Sequence, residues 1–445
     1  MPHRLRALPV LVVVLLLSAC SQTKTLRGLF QQATPHETYA RRLGQAGLAE
    51  TALGRDWLRA ADQALRDSLT VKLPYQESGF FPTDRAVALG LRYGVRTGET
   101  IHVSLTLAPG TAPPKVFLDA FELSPDRVTA PRHLLAADTA DLSFRYVVEA
   151  DRQHLLRVQP ELLRGGRYTL SIRREPSLSF PVQGKSDKAI GSFWGAGRDG
   201  GVRRHEGVDI FAPRGTPALA AAAGIVTRVN ETNLGGRVVW LADAAHGQHL
   251  YYAHLDKQQV QPGQRVRIGD TLGLVGNTGN AKTTPPHLHF GVYRNGALDP
   301  LPFVRAADVL PTPPRKLPAE LGQYVRARET RLVLRRTPAT KAATAATTER
   351  PTPLLVLGTA AGWLRVQLPG GRSGFVLATA VRPAAPLRRE KLAAEAELQS
   401  FPLPGAPAVA ELPAQTAVAV LGEFGGYRLV RQANGRTGWV LVKPA

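Results

Sequence analysis

The spacing of apolar residues changes character several times along the chain. From Pro35 to about Thr70 they recur three and four positions apart, as in Ala46-Gly-Leu-Ala-Glu-Thr-Ala-Leu53 and Trp57-Leu-Arg-Ala-Ala-Asp-Gln-Ala-Leu-Arg66. That period predicts amphipathic helix, ended by Pro74. From 86 to 182 the period drops to two, in Ile101-His-Val-Ser-Leu-Thr-Leu107, Leu142-Ser-Phe-Arg-Tyr-Val-Val148 and Arg167-Tyr-Thr-Leu-Ser-Ile-Arg173. Short alternating runs between Pro/Gly clusters predict an antiparallel β-sandwich. Residues 183–308 continue as strands, at Ala223-Gly-Ile-Val-Thr-Arg-Val229, Gly236-Arg-Val-Val-Trp-Leu241 and Gln248-His-Leu-Tyr-Tyr-Ala-His254. The proline-rich run at 309–324 favours extended backbone and reads as a stiff spacer.

An internal repeat follows. Val356-Leu-Gly358 returns as Val420-Leu-Gly422, Gly362-Trp363 as Gly426-Tyr427, and Gly371-Arg-Ser-Gly-Phe-Val376 as Gly435-Arg-Thr-Gly-Trp-Val440, every pair 64 positions apart. The pattern resembles bacterial SH3-like modules, which implies small β-barrels at 325–384 and 390–445 that contact cell-wall peptide. At least one aromatic per barrel is expected in its core. The 86–182 sandwich resembles the jelly-roll or immunoglobulin-like accessory modules of secreted bacterial enzymes. The expected fold is mainly β and multidomain: a short N-terminal helical segment, a β-sandwich, an antiparallel β-sheet domain at 183–308 and two small SH3-like barrels.

Composition places this architecture outside the cytoplasm. The N-terminus has a basic start, an apolar run from Ala7 to Leu17 and small residues before Cys20, which reads as a signal peptide over 1–19. The run is too short to span a bilayer, which takes ~20 apolar residues. Leu17-Ser-Ala-Cys20 resembles the bacterial lipobox, which implies lipidation of Cys20, the sole cysteine of the chain. Residues 20–85 are then a lipidated tether plus the helical segment. The expected address is the bacterial cell envelope, as a membrane lipoprotein. Ser21, where aspartate signals inner-membrane retention in some bacteria, points to a periplasm-facing outer-membrane position. A net charge of +21 suits attraction to envelope polyanions. No Lys/Arg run with interleaved aromatics is present, so nucleic acid is excluded as a partner.

The residues that carry chemistry are concentrated in 183–308. His205-Glu-Gly-Val-Asp209 and His287-Leu-His289 bring imidazole and carboxylate ligands at short spacing, and His254 lies between them in Tyr251-Tyr-Ala-His-Leu255. Imidazole and carboxylate suit zinc, and a catalytic zinc keeps one position open for water. Gly207, Val208, Ile210 and Pro213 argue against a helix at the first motif and for a strand entered from a loop. There His205 and Asp209 share one face, with Gly207 leaving room for the metal. His287 and His289 likewise share a face. Glu206 is no helical-zincin base, because that motif needs a helix and a histidine where Asp209 stands.

His205-x-x-x-Asp209 with His287-x-His289 resembles the signature of the M23 (lysostaphin/LytM-type) zinc endopeptidases. The flanks agree: Gly191-Ser-Phe-Trp-Gly195, Gly215-Thr-Pro-Ala-Leu-Ala-Ala221, Pro262-Gly-Gln-Arg-Val266 and Gly273-Leu-Val-Gly-Asn-Thr-Gly279. The resemblance covers 183–308. It implies one zinc ion held by His205, Asp209 and His289, with His254 and His287 as catalytic residues sharing the proton transfers in an order the sequence leaves open. It also implies hydrolysis of crosslinks or stem peptides in peptidoglycan. Two other readings use the same fold: a non-catalytic regulator partnered with other cell-wall enzymes such as an amidase, and an envelope binding scaffold. One departure stands out. The Asn280–Pro286 turn is longer than the family's, with Pro285 in the place of a glycine, and this reshapes the cleft rim without involving the ligands.

Overall fold

The computed structural model describes residues 33–109, 114–126, 128–312 and 317–442. Cys20 and the signal segment lie outside the described residues. The protein is mainly β, as the alternation predicts.

The N-terminal segment forms two helices, Pro35–Gln45 and Ala52–Arg66. Thr34 and Glu37 form a capping box with Pro35 in the first turn, satisfying amides that would otherwise lack partners. Thr51 caps the second helix. Trp57 is buried between His36, Tyr39 and Phe117 and donates through Nε1 to the Pro160 carbonyl at 2.9 Å. The helices therefore clamp one side of the sandwich.

One sandwich sheet runs in the order Leu69–Thr70, Leu89–Val95, Arg152–Pro160, Val116–Glu122, Arg132–Ala136. The other contains Tyr75–Phe81, Gly166–Pro176, Glu99–Leu107 and Ser143–Val147. Leu91, Ile101, Val103, Leu118, Leu156 and Leu170 fill the space between them. The sandwich thus begins before residue 86, with Tyr75–Phe81 as a full partner of Gly166–Pro176. Tyr75-Gln-Glu-Ser-Gly-Phe-Phe81 falls inside the 20–85 stretch expected as tether and helical segment, yet it is a strand in which Glu77 is fully buried. That carboxylate is met by Arg365 through two bonds of 2.9 Å, and by the Tyr75 and Tyr168 hydroxyls.

Arg365 belongs to the C-terminal repeat region, whose strand Leu354–Ala360 also pairs with Tyr75–Phe81. The proline-rich run reads as a spacer, yet the sandwich and the first repeat are joined by strand pairing and a buried ion pair. Leu354–Ala360, Trp363–Gln367 and Ser373–Leu377 return as Ala417–Phe424, Tyr427–Arg431 and Thr437–Leu441, bulges included. Gly358 and Gly422 occupy equivalent bulges, and each is pressed by a preceding segment. A Cβ at Gly358 would stand 2.5 Å from the Glu77 carboxylate, and one at Gly422 2.7 Å from the Pro351 carbonyl. Phe375 and Trp439 are buried, but in the cluster shared with the sandwich rather than in the aliphatic cores of the two repeats, so the expected core aromatic per barrel is not what the structure has.

Residues 183–308 build an antiparallel sheet in the order Ile190–Ser192, Val208–Phe211, His287–Tyr293, Gln248–Gln258, Gly236–Asp243, Gly224–Thr232, Arg265–Val266. Val208, Ile210, Leu241, Leu250, Tyr252, Phe290 and Val292 form the core on one face. The short helix Leu301–Val304 docks this sheet on the sandwich: Phe303 lies against Gly98, where a Cβ would come within 2.4 Å of its ring, and Asp308 pairs with Arg174 at 2.8 Å.

Two sandwich-side histidines predict an acid sensitivity. Burial holds His36 at about 4 and His154 at about 4, against 6.5 for a free imidazole. Between those values the unfolded chain binds more protons than the folded one, so stability is full above pH 6.5 and falls as pH drops towards 4. Melting temperatures measured without added metal should decline over that window, and His36→Gln should lessen the decline. A flat profile from pH 7 to 4.5 would contradict this account.

Candidate metal centre

The outer face of the sheet carries the polar residues that the sequence singles out. Asp209 and His289 are direct register partners on adjacent strands, as are Phe211 and His287. His205 reaches the same point from the loop before Val208–Phe211, not from the strand itself. His205 Nε2, Asp209 Oδ1 and His289 Nδ1 lie 2.9–3.0 Å apart. Gly207 does leave room, though for His289 rather than for an ion: a Cβ there would fall 2.6 Å from that ring.

The surroundings fix which ring atoms face inward. Nδ1 of His205 donates to the Phe193 carbonyl at 2.9 Å, so its Nε2 offers a lone pair. The His254 Nδ1–H donates to the Thr278 carbonyl and the His287 Nδ1–H to the Pro285 carbonyl, both at 2.9 Å. Their Nε2 atoms stay open, that of His287 at 3.9 Å from Asp209 Oδ1. His254 holds a left-handed backbone with φ 62, uncommon for a residue with a side chain. The Gly235 carbonyl accepts its N–H at 2.7 Å. Burial alone would raise the Asp209 carboxyl, but hydrogen bonds and charge from His205 and His289 outweigh it and hold the group well below the usual carboxylate range. Burial also lowers His289, with Asp209 opposing.

Three electron-pair donors therefore converge within 4.8 Å on a cleft floor. With its Nδ1–H given to Phe193, the neutral His205 ring turns an Nε2 lone pair towards Asp209 and His289. A nitrogen, nitrogen, oxygen set short of protons matches the ligand chemistry of zinc, so the residues fit the ion that the sequence implies.

Several contributors have no sequence motif of their own. Arg198 bonds Asp209 Oδ2 and Ser192 Oγ, both at 2.7 Å, and fixes the carboxylate's orientation. The longer Asn280–Pro286 turn is not confined to the rim, because its Pro285 carbonyl orients His287. Trp240, Tyr251 and Tyr293 line the same cleft. Their signal was available: each is an aromatic on the outward phase of a strand. Glu206 also lines the cleft, while the cleft lining comes entirely from residues 192–293, so the N-terminal helices do not cover it.

Residues 203–300 match the model of Peptidase family M23, and the chain carries a domain of that family. It is 37% identical over 141 residues to the L-Ala–D-Glu endopeptidase of Bacillus subtilis, covering 29% of this chain and 43% of that one. It is 40% identical over 109 residues to the glycyl-glycine endopeptidase ALE-1 of Staphylococcus capitis, covering 23% and 30%. It is 36% identical over 97 residues to the peptidoglycan DD-endopeptidase ShyC of Vibrio cholerae, covering 22% of each. The chain spans less than half the length of these curated relatives.

Proposed function

We propose that the chain is a zinc-dependent endopeptidase acting on peptide bonds of bacterial peptidoglycan. It is exported, held on a membrane through lipidated Cys20 and aided at the wall by two SH3-like repeats. The observation that carries this reading is the convergence of His205, Asp209 and His289 beneath an open cleft. The relatives support the substrate class, and because they are named for three different bonds they leave the bond itself open.

His205, Asp209 and His289 would hold the ion, which when bound supplies Lewis acidity and lowers the pKa of a water to about 7. Arg198 keeps the Asp209 carboxylate turned towards the cluster, the outer support that ligands of this type need. Burial, followed by the charges of His287 and His289, lowers His254 to about 4. At neutral pH its Nε2 is therefore a free base that can take a proton from water and return it to the departing amine. His287, with its ring 5.0 Å from that of His254, is placed to share this transfer or to steady charge on the substrate oxygen. Such acid–base help is worth about 10²–10⁴ in rate.

Digestion of purified cell wall, read by mass spectrometry of the muropeptides, tests the proposal. New fragments should form with one zinc per chain, vanish with a chelator and return when zinc is restored. Fragments unaffected by the chelator would remove the metal from the mechanism. No fragments in any condition would remove the enzyme.

A further inference from the structure

Beyond the three-residue cluster the cleft floor is aromatic, and the chemistry above leaves that region unused. Trp240, Tyr251 and Tyr293 come from three adjacent strands, with Trp240 and Tyr251 direct register partners. Their chain neighbours Leu241, Leu250, Tyr252 and Val292 are fully buried on the opposite face. The three rings are half-buried and contiguous, with centroids 4.5 Å (Trp240–Tyr251), 5.1 Å (Trp240–Tyr293) and 6.3 Å (Tyr251–Tyr293) apart. Tyr251 stands edge-on to His289 at 5.8 Å, which makes the shelf continuous with the cluster. Gly291 lies opposite Tyr251, and a Cβ there would come 2.8 Å from the Tyr293 ring, so its absence lets that ring settle onto the floor. Arg228, opposite Trp240, and His249, opposite Tyr293, are exposed at its edge. Apolar surface gathered on the outer face of a sheet marks a binding site.

We infer that this shelf binds the pyranose ring of an N-acetylhexosamine in the glycan strand, an inference that rests on peptidoglycan being the substrate. Stem peptides of the wall are short and built of small and charged residues, with no side chain that needs three aromatic rings. The broad apolar surfaces of the polymer are the C–H faces of its sugars, which match the electron-rich faces of Trp and Tyr. Arg228, and His249 through a ring N–H, offer hydrogen-bond donors for hydroxyl and acetamide oxygens. Position then selects the bond. The shelf begins 5.8 Å from His289, and a peptide residue spans at most ~3.3–3.6 Å. A sugar seated on Tyr251 and Trp240 therefore sets a carbonyl two or three residues away over the cluster, at the glycan-proximal end of the stem rather than at the distal crosslink.

Calorimetric titration of the full chain with a tetramer of N-acetylglucosamine tests the site without relying on catalysis. Saturable binding is expected for the wild-type protein and for Asp209→Ala alike. Trp240→Leu and Tyr293→Ala, each checked for an unchanged melting temperature, should bind at least roughly tenfold more weakly, the loss expected of an aromatic anchor. No binding by the folded wild-type protein, or equal binding by both folded ring variants, would overturn the assignment. So would free stem peptide, but not the sugar, binding in a Trp240-dependent way. Wall digests should yield glycan bearing stubs of at most three residues, and intact stems cut only at their crosslinks would overturn the placement. If the enzyme reading alone fails, the tetramer still binds while wall stays uncut. If the shelf alone fails, wall is cut and the tetramer does not bind.

Discussion

Asp209→Ala is expected to release no muropeptides from purified wall and to retain less than one zinc per chain, with activity reduced by more than the ~10–100-fold typical of losing an outer-shell partner. Asp209 Oδ1 is the one atom within 3.0 Å of both ring nitrogens of the cluster. Without it His205 and His289 remain as two neutral donors, too few for a catalytic zinc site with three protein ligands. The same substitution frees Arg198, whose guanidinium would then face the site unopposed and repel a cation. Arg198→Ala therefore serves as the graded companion, losing roughly 10–100-fold in metal affinity or activity while keeping all three ligands. Metal content by atomic spectroscopy and fragment yield from the same preparations read both effects. An Asp209→Ala protein that digests wall at the wild-type rate would refute the metal assignment.

The largest effect on stability is expected from Arg365→Ala. Arg365 and Glu77 are 288 positions apart and both buried, and the Leu357 carbonyl accepts a further guanidinium N–H at 3.0 Å. Burial by itself would lower the Arg365 pKa, but Glu77 and Tyr168 more than offset that and hold the guanidinium charged. Removing one member of a buried pair strands the other and costs about 3–5 kcal/mol. At about 2–4 °C per kcal/mol for a unit of 150–250 residues, the transition of the sandwich and first repeat should fall by roughly 6–20 °C. Limited proteolysis should then cut near the proline-rich run. The joint change Glu77→Leu with Arg365→Leu should recover much of the loss, since the pair also carries a large desolvation penalty. A calorimetric scan of Arg365→Ala that overlays the wild type would show that the two units are held by strand pairing alone.

The contrast between these two sites separates what is local from what is not. Strand phase was legible wherever one face is buried and the other wet, as in Glu99–Leu107, because the period of two writes burial directly into residue order. The chelating motifs were legible for a related reason. His287 and His289 are two apart on one strand and face the same way, and Asp209 sits in a short run that a helix could not accept. The repeat made the C-terminal strands legible twice over, and the structure places a bulge at the same point in each copy. Tyr75–Phe81 was not legible, since its Glu77 is tolerable in a buried strand only once Arg365 arrives from far along the chain.

By itself, then, the order of residues determined the strand alternation, the capped helices, the duplicated C-terminal unit and the side chains able to hold a metal. Each follows from interactions among residues a few positions apart. The tertiary structure decided the rest. It chose the carbonyls of Phe193, Thr278 and Pro285 that turn the imidazoles inward, brought Arg198 to the back of Asp209 and gathered Trp240, Tyr251 and Tyr293 into one shelf. It also fused the sandwich to the first repeat. These are pairings between distant segments, whose partners are fixed by sheet order and register, and no local pattern encodes either.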